Sequence, residues 1–170
     1  MNYAKIEPMS IVDGTGCRVS LFVSGCRNHC LGCFNQDTWD FNYGKPFTEI
    51  EENEILEACD KEYISGLTLL GGEPFEEENQ IVLVNLIKKF KERFPGKTLW
   101  MYTGYILDKD LLPGQRKHVD CITGPILDSI DTLVDGPFIL AERNLSLKFR
   151  GSNNQRLLDK QQIQELRGKC

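Results

Sequence analysis

Residues 17–33, CRVSLFVSGCRNHCLGC, join a short apolar run to a loop with three cysteines. The apolar run predicts a buried strand, and Cys26, Cys30 and Cys33 follow it with the spacing C-x3-C-x2-C. A second apolar run opens residues 67–74, LTLLGGEP, and ends in two glycines. Because the carboxyl ends of parallel strands hold the ligands in α/β folds, we expect both motifs to lie at one edge of a sheet.

Strand-like and helix-like segments alternate along the 170 residues, as they do in βαβ units with a parallel sheet. Thr48 and Glu51 have the spacing of a capping box at the start of one helix. The chain is too short for eight βα units. The predicted fold class is therefore α/β, as a partial (open) TIM-like β/α barrel of about five or six mostly parallel strands. Strands are predicted at Cys17–Val23, 67–70, 98–103, 119–123 and Thr132–Asp135, and helices at 48–61, 79–94, 107–112 and 159–167.

The composition argues against several kinds of partner and location. Twenty Lys and Arg against twenty-five Asp and Glu give a net charge of −5, which argues against nucleic acid and against a polybasic membrane anchor. No apolar run is long enough to span a bilayer, and the first residues show no secretory signal. We therefore expect a cytoplasmic protein, in which an odd count of seven cysteines favours metal binding over disulfides.

Two kinds of metal site are compatible with the three-cysteine loop. A structural zinc site needs four protein ligands, so His29 or a distant cysteine would have to join the three thiolates. An iron–sulfur cluster held by three cysteines leaves one iron open to a small molecule, which indicates a catalytic site. The spacing alone leaves both open. Cys17, Cys59 and Cys121 are expected to be small buried residues, and Cys170 to be incidental.

The three-cysteine loop together with the downstream GGEP resembles the radical S-adenosylmethionine (SAM) enzymes. Residues 13–18 (DGTGCR) and 22–26 (FVSGC) resemble the glycyl-radical-enzyme activases of that superfamily. The resemblance covers residues 1–156, which we expect to form a radical SAM domain, and a C-terminal tail with a helical pattern follows at 157–170. Further segments resemble the family that activates anaerobic ribonucleotide reductase, namely GCFN at 32–35, TW at 38–39, YTGY at 102–105, VDG at 134–136 and RGSNNQR at 150–156.

This resemblance implies two cofactors and the residues that hold them. Cys26, Cys30 and Cys33 would bind three irons of a [4Fe–4S] cluster, and the fourth iron would take the amino and carboxylate groups of SAM. An electron from the cluster would then cleave the sulfonium to methionine and a 5′-deoxyadenosyl radical. The residues expected to contact SAM are Gly71, Gly72, Glu73 and Pro74 at its amino end, Gly32, Cys33 and Phe34 near adenine, and Thr103 and Gly104 near the ribose or carboxylate.

The resemblance also implies the substrate and the electron donor. In this family the radical takes a hydrogen atom from a glycine in the large glycyl-radical subunit of anaerobic ribonucleotide reductase, and a flavodoxin-like protein supplies electrons. No general acid–base pair is then required, and none can be argued from His29 and His118. Two alternatives remain: a small radical SAM enzyme acting on a small molecule, and a non-catalytic iron–sulfur or zinc-binding protein.

Several charged and polar residues have more than one interpretation. Arg18 on the first strand is expected to be buried beside Asp13 or another carboxylate. Asp135 either faces the cavity or belongs to a turn before Gly136, and the acidic run 76–78 is expected at a helix N-terminus. The C-terminal polar group either docks a partner, closes the site or is a solvated loop, and it consists of Arg150, Asn154, Gln155 and Arg156.

Overall fold

Four parallel strands form the centre of the protein, whose computed structural model describes residues 1–168. Further strands flank them in antiparallel pairing, so the fold is mixed α/β with one open seven-stranded sheet in the order β3-β1-β2-β4-β5-β6-β7. The parallel strands are β2 (Cys17–Val23), β4 (Ile64–Gly71), β5 (Thr98–Tyr102) and β6 (Thr132–Asp135). The flanking strands are β1 (Asn2–Ser10), β3 (Lys45–Pro46) and β7 (Arg156–Asp159).

Helices follow the strands and cover the sheet. The predicted capping box is confirmed, since the hydroxyl of Thr48 accepts the amide N–H of Ile50 and the carboxylate of Glu51 accepts that of Thr48 at 2.8 Å. Apolar side chains of the first two helices belong to the same core as the strands. No helix within residues 1–168 is long and apolar enough to cross a membrane. The helices are α1 (Glu49–Cys59), α2 (Glu77–Arg93), α3 (Thr123–Ser129) and α4 (Lys160–Arg167).

The parallel centre agrees with the sequence prediction, whereas the borders of the sheet do not. The bounds of β2 and β6 are as predicted, and the terminal helix is confirmed as α4. The expectation of five or six strands is wrong because β1, β3 and β7 add antiparallel edges. These edge strands are half-exposed and carry many polar residues, so they lack the apolar runs that marked the central strands.

One predicted strand, at residues 119–123, is wrong. The chain there makes a turn and then begins α3, because the hydroxyl of Thr123 accepts the amide N–H of Val119 and donates to Gln80 at 2.6 Å. Pro125 lies in the first turn of that helix, where its missing N–H costs nothing. The short helix predicted at 107–112 is a single π-helical turn, Leu107–Leu111.

The remaining cysteines differ in their surroundings. Cys59 is fully buried at the end of α1, as predicted, and Cys17 is half-buried at the start of β2. The prediction for Cys121 is wrong, since it is exposed in a turn with a φ of +63°. Cys170 lies outside the described residues.

Arg18 is fully buried near the amino ends of the parallel strands. The expected ion pair is wrong: Asp13 accepts hydrogen bonds from Ser10 and Ser20 instead, and no carboxylate in residues 1–168 pairs with the guanidinium. Burial lowers the pKa of Arg18 to about 10, so the side chain stays charged at neutral pH. Its five hydrogen bonds all go to neutral oxygens, those of Thr15, Leu67, Thr68 and Thr98.

We predict that Arg18→Met lowers the free energy of unfolding by about 3 kcal/mol, because it leaves buried oxygens on β4 and β5 without donors. Denaturant unfolding of the metal-free protein measures this loss. Arg18→Lys is the control, since a compact ammonium replaces only some of the five hydrogen bonds and should give an intermediate value. Equal stability of Arg18→Met and the wild type would contradict the assignment.

Candidate functional site

The cysteine loop, residues 24–35, leaves the end of β2 and folds back on the segment that follows it. The amide N–H of Gly25 donates to the carbonyl of Thr38 at 2.8 Å, and that of Cys26 donates to Trp39 at 3.1 Å. Gly25 has a φ of +93°, and a Cβ there would lie 2.3 Å from the ring of Phe41. The close contact and the left-handed backbone therefore require glycine immediately before Cys26.

The GGE loop, residues 71–76, leaves the end of the neighbouring strand β4 and is bonded directly to the cysteine loop. The amide of Gly72 donates to Val23 and the amide of Glu73 donates to Gly25, both at 2.8 Å. A Cβ on Gly72 would lie 2.7 Å from the carbonyl oxygen of Gly25. The two sequence motifs are thus joined through main-chain hydrogen bonds that leave no room for a side chain at residue 72.

Glu73 is fully buried, and its carboxylate accepts four hydrogen bonds. Burial raises its pKa to about 7, even though the four donors favour the charged form. The carboxylate therefore ties the GGE loop to the cysteine loop and to the end of β5. The donors are the hydroxyl of Thr103 at 2.6 Å, the amides of Gly104 at 2.7 Å and Phe75 at 2.9 Å, and the side-chain amide of Asn28 at 3.1 Å.

The three motif cysteines line one cavity of about 680 Å³ at the carboxyl ends of the parallel strands. Most of the other predicted contact residues also line it: Gly32, Phe34, Gly71, Gly72, Glu73, Thr103 and Gly104. Pro74 does not line the cavity and is buried in the connection to α2. Asp135 does not line it either, since its buried carboxylate accepts hydrogen bonds from Arg156 at 2.5 and 2.8 Å.

The β6–β7 segment, residues 136–155, forms a further wall of this cavity that the sequence motifs only partly indicated. Its lining side chains include Phe138, Leu147 and Phe149. Gln155 shapes this wall, because its side-chain oxygen accepts the amide of Gly151 at 2.8 Å and its side-chain amide donates to a backbone carbonyl. RGSNNQR at 150–156 and the glycine of VDG at 134–136 were the signals in the sequence for this wall.

The donor set of the cavity fits an iron–sulfur cluster, which three cysteines can hold. Three thiols from one loop line one wall, and burial raises the pKa of Cys26 to about 12 and also raises the pKa of Cys30. Such thiols lose their protons when a metal binds. Within residues 1–168, no three Cys, His, Asp or Glu side chains lie close enough to hold one ion. The ring of His29 stacks on Trp39 with centroids 4.5 Å apart.

Comparisons with known proteins agree with this geometry. A family model described as a 4Fe-4S single cluster domain matches residues 12–158. The chain is 41% identical over 159 residues to the anaerobic ribonucleoside-triphosphate reductase-activating protein of Enterobacteria phage T4, covering 92% of this chain and 93% of that one. It is 39% identical over 157 residues to the protein of the same name from Escherichia coli K12, covering 91% and 96%.

The chain belongs to the family of anaerobic ribonucleoside-triphosphate reductase-activating proteins. The Pasteurella multocida protein of that name is 41% identical over 157 residues, covering 91% of this chain and 95% of that one. The resemblance to this family that segments such as GCFN at 32–35 and YTGY at 102–105 indicated is therefore confirmed. The matched 4Fe–4S single cluster domain covers residues 12–158 and therefore nearly the whole chain.

A second buried carboxylate, Glu76, connects the cysteine loop of this family member to α2. Sequence reasoning placed it at a helix N-terminus, and it is the residue before α2, but its side chain is also fully buried. Its carboxylate accepts both the backbone N–H of Arg27 at 3.0 Å and the guanidinium of Arg27 at 2.7 Å. Lys117 and the hydroxyl of Tyr105 donate to the same carboxylate, each at 2.7 Å.

The charge state of Glu76 follows from these donors. Burial raises its pKa, but hydrogen bonds from Lys117, Tyr105 and Arg27 outweigh burial and hold the pKa below its usual value. A carboxylate with a lowered folded-state pKa stabilises the fold above its unfolded-state pKa. That contribution is lost as the pH falls through the folded-state pKa.

We predict that Glu76→Gln lowers the free energy of unfolding at pH 7 by about 2 kcal/mol, because the amide would face the donors of Lys117 and Arg27. Its stability should also fall less steeply than that of the wild type as the pH is lowered from 6 toward 3. Denaturant unfolding of the metal-free protein at several pH values measures both effects.

Glu78→Gln is the matched control for this prediction. Glu78 also pairs with the guanidinium of Arg27, at 2.6 Å, but it is half-exposed and does not reach the backbone. Its replacement should cost about 0.5 kcal/mol or less. If both variants behaved alike, Glu76 would have no special part in holding the cysteine loop.

Proposed function

We propose that this protein is a radical SAM activase that generates a glycyl radical on the large subunit of anaerobic ribonucleotide reductase. One observation supports this most strongly: the thiols of Cys26, Cys30 and Cys33 share a single cavity with the buried carboxylate of Glu73. The cavity thereby combines three cluster ligands with an acceptor for a cationic group. The names of the relatives support the choice of the reductase as the substrate protein.

Cys26, Cys30 and Cys33 would hold a [4Fe–4S] cluster through their thiolates, and SAM would bind beside it in the same cavity. When bound, the cluster supplies the electron for reductive cleavage of SAM, which leads to hydrogen-atom abstraction from the partner's glycine. The chain's own contribution is to hold the cysteine loop in place. Main-chain hydrogen bonds at Gly25 and Cys26 do so from one side, and Glu76 does so through Arg27 from the other.

Glu73 would bind the amino group of SAM, together with the strand-end carbonyls of β4, and the ammonium would replace the side-chain amide of Asn28, the longest of its four hydrogen bonds at 3.1 Å. An ammonium needs acceptors, and a carboxylate in a buried site is the strongest acceptor available there. The ammonium would also stabilise the charged form of a carboxylate whose pKa burial has raised to about 7. Pro74 fixes the backbone of the GGE loop.

The nucleoside part of SAM would occupy the rest of the same cavity. The backbone of residues 32–34 would lie against adenine, and Thr103 and Gly104 at the end of β5 would lie near the ribose or carboxylate, since all of these residues line the cavity. The rings of Trp39, Phe138 and Phe149 line the same cavity and exclude water from it.

The fold, the electron donor and the cellular compartment also fit a radical SAM activase. We propose that residues 1–156 are a radical SAM domain with an abbreviated TIM-like β/α barrel, because the cavity lies at the carboxyl ends of the parallel strands. A flavodoxin-like protein would supply electrons. The six free cysteines among the described residues are consistent with work in the reducing cytoplasm.

We predict that anaerobic reconstitution with iron and sulfide gives the wild type a [4Fe–4S] cluster and, after reduction, 5′-deoxyadenosine from SAM. Cys30→Ala should lose both, because one iron loses its protein ligand. Absorption and EPR spectra report the cluster, and chromatography reports the nucleoside. A glycine-centred EPR signal after mixing with the reductase would identify the substrate protein.

Cys121→Ser is the matched control, because that thiol is exposed in a turn remote from the cysteine loop in sequence. It should retain the full iron content and the full yield of 5′-deoxyadenosine. Tight zinc binding by the wild type with no SAM cleavage under any condition would refute the activase function.

We predict that Glu73→Gln raises the Kd for SAM at least about tenfold while the iron content stays unchanged, because a charge-assisted hydrogen bond of about 1.5–3 kcal/mol is lost. Equilibrium binding of SAM to the reconstituted protein measures the change. Glu77→Gln, at the exposed first residue of α2, should bind SAM like the wild type. Unchanged SAM affinity in Glu73→Gln would remove this residue from the SAM site.

A further inference from the structure

Exposed apolar side chains are concentrated around the mouth of the cavity. Five of them, each 73–91% exposed, lie on three separate loops and are called the apolar collar here. Val12, Phe34 and Leu145 of this collar line the cavity itself. The collar consists of Ile11 and Val12 on the β1–β2 connection, Leu31 and Phe34 on the cysteine loop, and Leu145 on the β6–β7 segment.

Such a concentration of apolar groups is unfavourable in water unless a partner or a ligand covers it. Large exposed apolar patches with a polar border mark sites of protein association or ligand binding. Among residues 1–168, Ile50 on α1 is the other large apolar side chain with comparable exposure, at 76%, and it does not line the cavity. The collar is therefore a feature of the cavity mouth and not of the surface in general.

The charge beside the collar is opposite to that of the whole chain. The β6–β7 segment contains three basic residues and one acidic residue, whereas the chain has a net charge of −5. None of the three basic side chains has a carboxylate partner within the described part of the chain. These are Arg143, Lys148 and Arg150, of which Arg143 and Arg150 line the cavity.

We infer that the apolar collar, with the basic side chains beside it, is the docking surface for the large subunit of the reductase. This inference rests on the proposed function, because a polypeptide substrate has to pass this mouth to reach the cavity. The matching surface of the partner is apolar and bordered by carboxylates. The apolar part supplies contact area, and the charges steer and orient the encounter.

The collar and the cofactor site are separable, which makes the inference testable. Ile11 and Lys148 do not line the cavity, so replacing them leaves the cluster and SAM contacts in place. In Ile11→Asp the new charge would lie among apolar groups and opposite the partner's carboxylates. In Lys148→Glu the sign of one steering charge is reversed.

The experiment measures the Kd between the reconstituted protein and the reductase, together with SAM cleavage in the absence of the reductase. Ile11→Asp should weaken binding at least about tenfold, and Lys148→Glu about three- to tenfold. Raising the salt concentration should weaken binding of the wild type more than that of Lys148→Glu. SAM cleavage without the reductase should stay within about twofold of the wild type.

Two matched controls change exposed residues of the same chemistry outside the collar. Ile50→Asp on α1 and Lys88→Glu on α2 should bind the reductase like the wild type. The proposal is overturned if Ile11→Asp binds normally, or if the two controls weaken binding as much. It is also overturned if sedimentation shows that the collar holds a second copy of this chain instead.

The experiments distinguish an error in the proposed activase function from an error in the proposed docking surface. If the wild type bound the reductase but produced no glycine-centred EPR signal, the proposed function would fail while the binding comparison still tested the collar. If the wild type produced that signal and Ile11→Asp bound and reacted equally well, only the docking surface would be wrong.

Discussion

The main-chain contact between the cysteine loop and the GGE loop is the constraint on which the site depends. The carbonyl of Gly25 accepts the amide N–H of Glu73, and the missing side chain of Gly72 is what lets the two backbones approach. Parallel pairing of β2 and β4 brings the loops to the same edge of the sheet. Sheet register, cysteine position and carboxylate position are therefore set together, and a shift of one strand would misplace all three.

Local patterns were sufficient to predict the centre of the fold. Apolar runs identified β2 and β6 with their observed bounds, and the capping-box spacing at Thr48 identified the start of α1. The edges depend on pairing with distant partners, which no local pattern contains. Pro8 in β1 argues against a strand from sequence, but β3 pairs only with Asn2 and Tyr3, so the rest of β1 is an edge where proline is tolerated.

The candidate site was predictable to the extent that it is built from motifs. The cysteine loop and the GGE loop carry short spacings with a clear chemical reason, and all their predicted contact residues except Pro74 line the cavity. The β6–β7 segment has no periodic pattern, so its role as a wall could not be predicted in detail. For Arg18, the prediction of a carboxylate partner was wrong because hydroxyl and carbonyl oxygens satisfy all of its donors.

The buried network around Arg18 contains neither a thiol nor an imidazole. It joins β2, β4 and β5 near their amino ends through protein atoms alone, whereas the three cysteines lie beyond the opposite ends of the strands. The base of the sheet should consequently stay folded when air destroys the cluster. A molecule damaged by oxygen would then remain a scaffold that fresh iron and sulfide can refill, so oxidative inactivation should be repairable without new protein synthesis.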